Sequence, residues 1–289
     1  MNNYKKLITE YSKGKNISLF LKKSSNLSKE EITKISYDLQ SGKTIKNFNQ
    51  NKRKLVSKVM SPMVQEIKKF KNVKTILDFG AGELTNLSFL KKKLKNIKFY
   101  GNDISFNRLY LGKKFLNNEF KGKNDVSLIC NGHFKLPFKD NSFDIVTTMQ
   151  ALEPNGSMEK KLLKELYRVC KKAIVSCEPH YEIANQSQKK RMRLHGYVIN
   201  LEKTIKKLGY KYKVVKQKYC LKKINPTSIF VITKNTRSNS KPELIDPATG
   251  EILTKKDNFY LNKNTKRIYP VIDSIIYLNE NFKLFLPRN

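Results

Sequence analysis

The stretch TILDFGAGELTNLSFL, residues 75–90, decides the reading of this chain. An apolar run ends at Asp78, a Gly-x-Gly turn follows at Gly80 and Gly82, and helical spacing begins at once. Glycines at such a turn let the backbone approach a ligand closely, and a helix N-terminus offers unpaired N–H groups. Twenty-one residues after Gly82, a second apolar run ends in YGND and delivers Asp103. An acid there can accept hydrogen bonds from both hydroxyls of a ribose. The same pattern also describes an ordinary strand–turn–helix with a solvated acid, so the surrounding sequence must separate the two.

Outward from this stretch, short apolar runs recur at 97–100, 126–130, 143–149, 173–177, 213–216 and 228–233. Amphipathic stretches lie between them, clearest at Met158, Leu162, Leu163, Leu166 and Val169. Strands alternating with helices predict an α/β fold whose parallel sheet is covered on both faces. Only residues 217–227 join the last two runs, too few for a crossover helix, so these should pair antiparallel. Residues 1–73 read as a polar helical extension, with a capping box at Ser28-Lys29-Glu30-Glu31 and a second helix start at Ser61-Pro62. A Ser/Asn-rich break at 235–242 reads as a linker before a small β-rich appendage, 243–289. Three units are expected: 1–73, 74–234 and 243–289.

With 39% hydrophobic and 10% aromatic residues in 289, the chain has enough apolar material to close a core, which excludes wholesale disorder. Lys plus Arg is 59 against 24 acids, a formal charge of +35. A field of that sign attracts nucleic acid or an anionic surface. Only eight of the 59 are Arg, however, and a Lys- and Asn-heavy chain is also what A-rich codon usage produces unaided. The four cysteines show no C-x-x-C spacing, and no apolar run approaches the ~20 residues that span a bilayer. A soluble, cytoplasmic protein with no membrane span is the expectation; nothing in the sequence sets its oligomeric state.

The turn itself narrows the ligand. Leu84 stands near the place of the third glycine of a dinucleotide fingerprint, and Glu83 puts an acid where phosphates would be repelled. S-adenosylmethionine has a ribose, an ammonium and a sulfonium, and no phosphate. Together with LPFKDNSFDIVTTMQALEPNG, residues 136–156, these features resemble the class I S-adenosylmethionine-dependent methyltransferases, in the branch marked by LPF-x-D-x-S-F-D. The resemblance covers roughly residues 74–234. It implies a seven-stranded Rossmann-like sheet with the seventh strand antiparallel and S-adenosylmethionine as cofactor. Asp78, Gly80, Gly82 and Glu83 would line the methionine end, Asp103 would hold the ribose, Ile104 would lie against the adenine, and Asn131 would take the place of the family's acid after strand three. Residues 245–253 and 266–278 are similar to a small zinc-ribbon domain that accompanies some RNA methyltransferases, here without cysteines.

The scarce acids Asp78, Glu83, Asp103, Glu153 and Glu178 all fall at expected carboxyl ends of strands, the edge where doubly wound sheets bind ligands. The three histidines, His133, His180 and His195, fall near the same edge, and their spacing fits no single-helix metal motif, so no metal is expected. A hydroxyl acceptor needs its proton removed, and an imidazole suits that role. His180 is the first choice of base, His195 the second, with Glu178 orienting either. Glu153 and Asn155 after strand four, together with Tyr181, Arg191 and Arg193, are the acceptor-binding candidates, because an Arg fork matches phosphate or carboxylate. The leading expectation is O-methylation of a small molecule or glycan precursor. An RNA methyltransferase and a non-catalytic cofactor-binding module are the alternatives.

Overall fold

The computed structural model describes residues 2–132, 134–221, 224–236, 238–279 and 284–285. His133 lies outside them. Five helices come first: α1 (Asn2–Ser12), α2 (Ile17–Ser24), α3 (Lys29–Leu39), α4 (Lys43–Lys46) and α5 (Gln50–Lys68). Strands and helices then alternate through β1 (Thr75–Phe79), α6 (Thr85–Lys93), β2 (Lys98–Asp103), α7 (Phe106–Glu119), β3 (Ser127–Asn131) and β4 (Phe143–Met149). After α8 (Glu159–Val169) and β5 (Cys170–Pro179) come a 3₁₀ turn (Tyr181–Ile183), α9 (Gln186–His195) and α10 (Leu201–Lys207). The hairpin β6 (Lys211–Lys216) and β7 (Thr227–Thr233) precedes five short strands: β8 (Thr254–Lys255), β9 (Phe259–Leu261), β10 (Arg267–Ile272), β11 (Ile275–Leu278) and β12 (Leu284–Phe285).

Seven strands run in the order β6-β7-β5-β4-β1-β2-β3, with β7 antiparallel to both neighbours. The sheet does not stop there. β11 lies parallel beside β3, pairing Ile275 with Leu128 and Leu278 with Asn131, and β10, β9 and β8 follow. Eleven strands therefore form one series, with β12 pairing β10, where a seven-stranded sheet was expected. A single-strand register explains the extension: an open β3 edge would leave its ladder groups unpaired, and β11 satisfies them. Asp246, fully buried, holds the tail's turn by accepting from Ala248 N at 2.8 Å, Asn262 Nδ2 at 2.8 Å and Tyr269 Oη at 2.9 Å.

Side chains alternate between two cores because successive strand residues face opposite sides. In β7, Ile229 and Val231 join α5, α6 and α7 on one face, while Phe230 and Ile232 join α8 and α10 on the other. Leu162, Leu163, Leu166 and Val169 of α8 are all buried, each stabilising by ~1.5–3 kcal/mol. Ser61-Pro62 does not start a helix. α5 runs straight through Pro62 from an Asn49 cap, because Val56, Val59, Met60, Met63, Val64 and Ile67 bury one continuous stripe, and that packing outweighs the lost N–H.

Candidate active site

The carboxyl ends of β1, β2 and β4 open into a crevice of about 500 Å³, roofed by residues of α3, α4 and α5. Gly80, on its floor, and Gly82, behind it in the same turn, sit at φ +69° and +55°. A Cβ on Gly80 would lie 2.4 Å from the Ala151 methyl, which bars any side chain there, while at Gly82 the left-handed φ favours glycine and the nearest neighbour is the movable Arg108 guanidinium. Leu84 continues the turn at φ +60°, held there by complete burial.

Asp103 ends β2 and accepts Gly82 N at 2.8 Å on one oxygen and Ser105 N at 2.9 Å on the other. Both oxygens keep a lone pair, and the residue lines the crevice together with Ile104. Glu83 lines it too, but its oxygens accept Gly42 N at 3.1 Å and Ile45 N at 2.7 Å. Its carboxylate therefore fastens the roof to the glycine turn. Asp78 is buried behind the wall, where Thr147 donates to it at 2.9 Å and burial pushes its carboxyl up to about 7. Asn131 faces a second cavity, of about 540 Å³, that shares Ile104 with the crevice. Its amide donates to the Gly132 and Lys135 carbonyls at 2.6 and 2.7 Å, so an adenine would meet the other end of that side chain.

Beyond β4 the floor is Gln150, Ala151, Glu153, Pro154 and Asn155. Glu178, fully buried at the end of β5, organises this loop from beneath. It accepts Thr148 Oγ1 at 2.8 Å, Ala151 N at 3.0 Å, Leu152 N at 3.2 Å and Glu153 N at 3.1 Å. Burial pushes its carboxyl up to about 8 against the pull of these donors. Glu178 thus orients a loop, where the sequence suggested a histidine. Glu153 and Asn155 are buried and reach the crevice. Asn225 Nδ2 donates to Glu153 at 2.9 Å, and two buried atoms, Gln150 Nε2 and Asn155 Oδ1, have no protein partner.

The remaining sequence candidates lie away from the crevice wall. His180 is packed on Phe230, with Nδ1 2.8 Å from Ser228 Oγ and Nε2 3.1 Å from Glu202, so it cannot reach an acceptor there. His195 stacks on Tyr197, and burial together with Arg191 and Lys22 holds its pKa below the ordinary value. Arg193 bonds the Tyr181 hydroxyl, and neither lines the crevice. Arg191 donates to Asn225 Oδ1 at 2.5 Å and so touches Glu153 only through Asn225. All five depart from expectation for one reason: proximity to the strand-end edge in sequence does not say on which side of a loop a side chain emerges.

Arg108 was missed. Its guanidinium sits in the crevice, 3.9 Å from both Glu83 and Asp103 and 4.8 Å over the Tyr37 ring. The available signal was its rarity: one of eight arginines, five residues past Asp103.

Residues 77–173 match a family model described as a methyltransferase domain. The fold is that of class I enzymes. Magnesium protoporphyrin IX methyltransferase from Synechocystis PCC 6803, solved with bound SAH, superimposes with a TM-score of 0.54 at 14% identity, over 70% of this chain and 100% of that one. A SAM-dependent methyltransferase from Aquifex aeolicus is 20% identical over 64% of this chain and 99% of its own, with a TM-score of 0.45. No curated protein matches the sequence. The crevice has the features that S-adenosylmethionine would need: a floor at Gly80 that admits no side chain, a two-oxygen acid at Asp103, and orphaned polar atoms beside Glu153. Among the described residues no helix is long and apolar enough to cross a membrane.

Proposed function

We propose that the methyltransferase modifies an oxygen atom on a small anionic molecule, glycan precursors included. The roofed crevice carries this reading. The roof of α3–α5 leaves about 500 Å³ for cofactor and acceptor together, and Lys43 and Lys52 line it alongside Arg108. A folded RNA segment is too large for that space, while a phosphate or carboxylate on a small acceptor matches its cations.

Bound S-adenosylmethionine supplies a methyl group on a positively charged sulfur. Asp103 accepts from the ribose hydroxyls, Gly80 lets the backbone come close, Ile104 packs on the adenine, and Asn131 lies beyond it in the adjoining cavity. Asp78 and Gly82 hold the turn in shape from behind. Glu153 takes the place that His180 and His195 had in the sequence reading: it is the carboxylate on the acceptor side of the crevice, and it accepts the hydroxyl proton. Positioning of acceptor against donor supplies ~7–11 kcal/mol of the barrier lowering.

The test is methyl-labelled cofactor with the full chain, offered hydroxylated phosphates and carboxylates beside total tRNA. Label in a small acceptor, with KM raised in Lys43→Ala, is the expected result. RNA binding that survives physiological salt, with label transferred to the RNA, overturns it.

A further inference from the structure

Outside the crevice, three elements bring His180, Glu182 and Glu202 together, with one ligand atom from each lying within 4.8 Å of the others. The imidazole has little freedom. It is buried, Phe230 meets it edge-on at 5.2 Å, and its Nδ1 lies 2.8 Å from the hydroxyl of the fully buried Ser228. Its Nε2 therefore points outward, 3.1 Å from Glu202 Oε2 and 3.5 Å from Glu182 Oε2.

We infer that this cluster is a binding site for a divalent transition ion, with Zn²⁺ the best fit. Zinc–nitrogen and zinc–oxygen bonds of ~2.0–2.2 Å at tetrahedral angles set neighbouring ligand atoms roughly 3.3–3.5 Å apart, which the two imidazole–carboxylate spacings bracket. One imidazole with two carboxylates selects a borderline ion over Ca²⁺ or Mg²⁺, which prefer oxygen alone. The partners behind the ligands match as well. Glu202 spends its other oxygen, Oε1, on the Tyr212 hydroxyl at 2.8 Å and Lys206 Nζ at 3.3 Å, which leaves Oε2 for the ion. Glu182 is the exposed member, on the 3₁₀ turn, and its side chain is free to close the remaining gap. Without an ion, a single imidazole N–H can satisfy only one of the two carboxylates it faces.

The ion would tie the end of β5, the 3₁₀ turn and α10 at one point. These elements flank α9, whose Arg191 reaches Glu153 through Asn225. Three protein ligands leave the fourth tetrahedral position to a water, and the site lies to the side of the acceptor half of the crevice. Sequence spacing hides it, because the ligands come from a strand end, a turn and a helix; none is paired with another on a single helix.

The experiment titrates the full-length, chelator-stripped protein with Co²⁺, read by its visible d–d bands, and with Zn²⁺ by calorimetry. One equivalent is expected, with tetrahedral-type Co²⁺ absorption. His180→Ala should weaken binding by roughly 100-fold or more. Tyr212→Phe, which leaves all three ligands in place, should weaken it by about 10–100-fold, the range for lost outer partners. Because His180 is buried and its loss could unfold the chain, the exposed Glu182→Gln serves as the second variant, with a tenfold loss expected. Absence of bands and heat overturns the site and leaves a hydrogen-bonded His–Glu cluster. A signal unchanged in Glu182→Gln overturns it equally, by moving the metal elsewhere.

Discussion

On the β1–β3 side of the crevice, the groups that face a ligand are set by backbone. Gly80 is forced by contact with Ala151, Gly82 is favoured by its left-handed φ, and Asp103 is locked by two N–H groups, one from the β1 turn and one from its own. On the β4–β5 side, Glu153 is displayed by a buried carboxylate twenty-five residues away in sequence, and its own partner Asn225 comes from the approach to β7. One side is local and stiff; the other is assembled from loops. The difference teaches why methyltransferase folds can hold one cofactor constant while the acceptor changes: the acceptor wall is built from parts that vary independently of the turn.

The sharpest way to break this comparison is at Glu153. Glu153→Gln should lower turnover by roughly 10²–10⁴, the range for loss of a proton acceptor, while cofactor affinity by calorimetry stays within a few-fold. Loss of affinity without loss of turnover would put Glu153 on the cofactor side and dissolve the division. Asp103→Ala tests the other wall. Hydrogen bonds to a charged group are worth ~1.5–3 kcal/mol each, so cofactor affinity should fall at least tenfold. A folded variant with unchanged affinity would remove the ribose assignment.

The stiff wall was also the legible one. The turn of residues 78–84 is set by its own backbone, which is written in adjacent residues, and the acid at 103 stands at the end of the next strand, a fixed spacing away. The seven expected strands were readable from apolar runs for the same reason. The acceptor wall was not, because Glu178 and His180 are two residues apart yet end in different places: one beneath the β4 loop, the other behind α10. The tail was read as a separate appendage since a two-residue strand such as β8 leaves no periodic signal, and the pairing of β11 with β3 spans more than 140 residues of sequence.

Glu178 and Asp78 give the two walls a shared pH signature. Their folded carboxyls stand near 8 and 7, raised by burial from 4.5 and 3.8. Between these limits the folded chain holds more protons than the unfolded one, so stability is fullest below pH ~4 from these groups and is lost as pH rises through 7 and 8. Each group contributes a slope of at most ~1.4 kcal/mol per pH unit. Urea unfolding at pH 5.5, 7 and 8.5 should show falling stability, and Glu178→Gln should flatten the fall between 7 and 8.5. The same slope in Glu178→Gln as in the parent chain over that interval would mean the four donors around Glu178 outweigh its burial and keep it ionised in both states.

The smallest effect expected is at Arg108, between the stiff wall and the roof. Its guanidinium stands 3.9 Å from Glu83 and from Asp103, the two acids a cationic cofactor approaches, and rests on Tyr37 in the roof. At that distance neither contact is a hydrogen bond, so the arginine neutralises the pair without being held tightly by it. A ligand carrying its own positive charge must share those carboxylates or displace the arginine. Arg108→Met keeps an unbranched apolar stem at this place and removes the charged head that lies over Gly82. Cofactor affinity should then tighten by roughly three- to tenfold, about 0.7–1.4 kcal/mol, within the usual worth of a partly exposed ion pair. The gain should shrink as salt rises, because the removed repulsion is screened. Weakened affinity would show instead that the arginine grips the carboxylate of the methionine end, which would move Arg108 from competitor to cofactor ligand and make the stiff wall one residue larger.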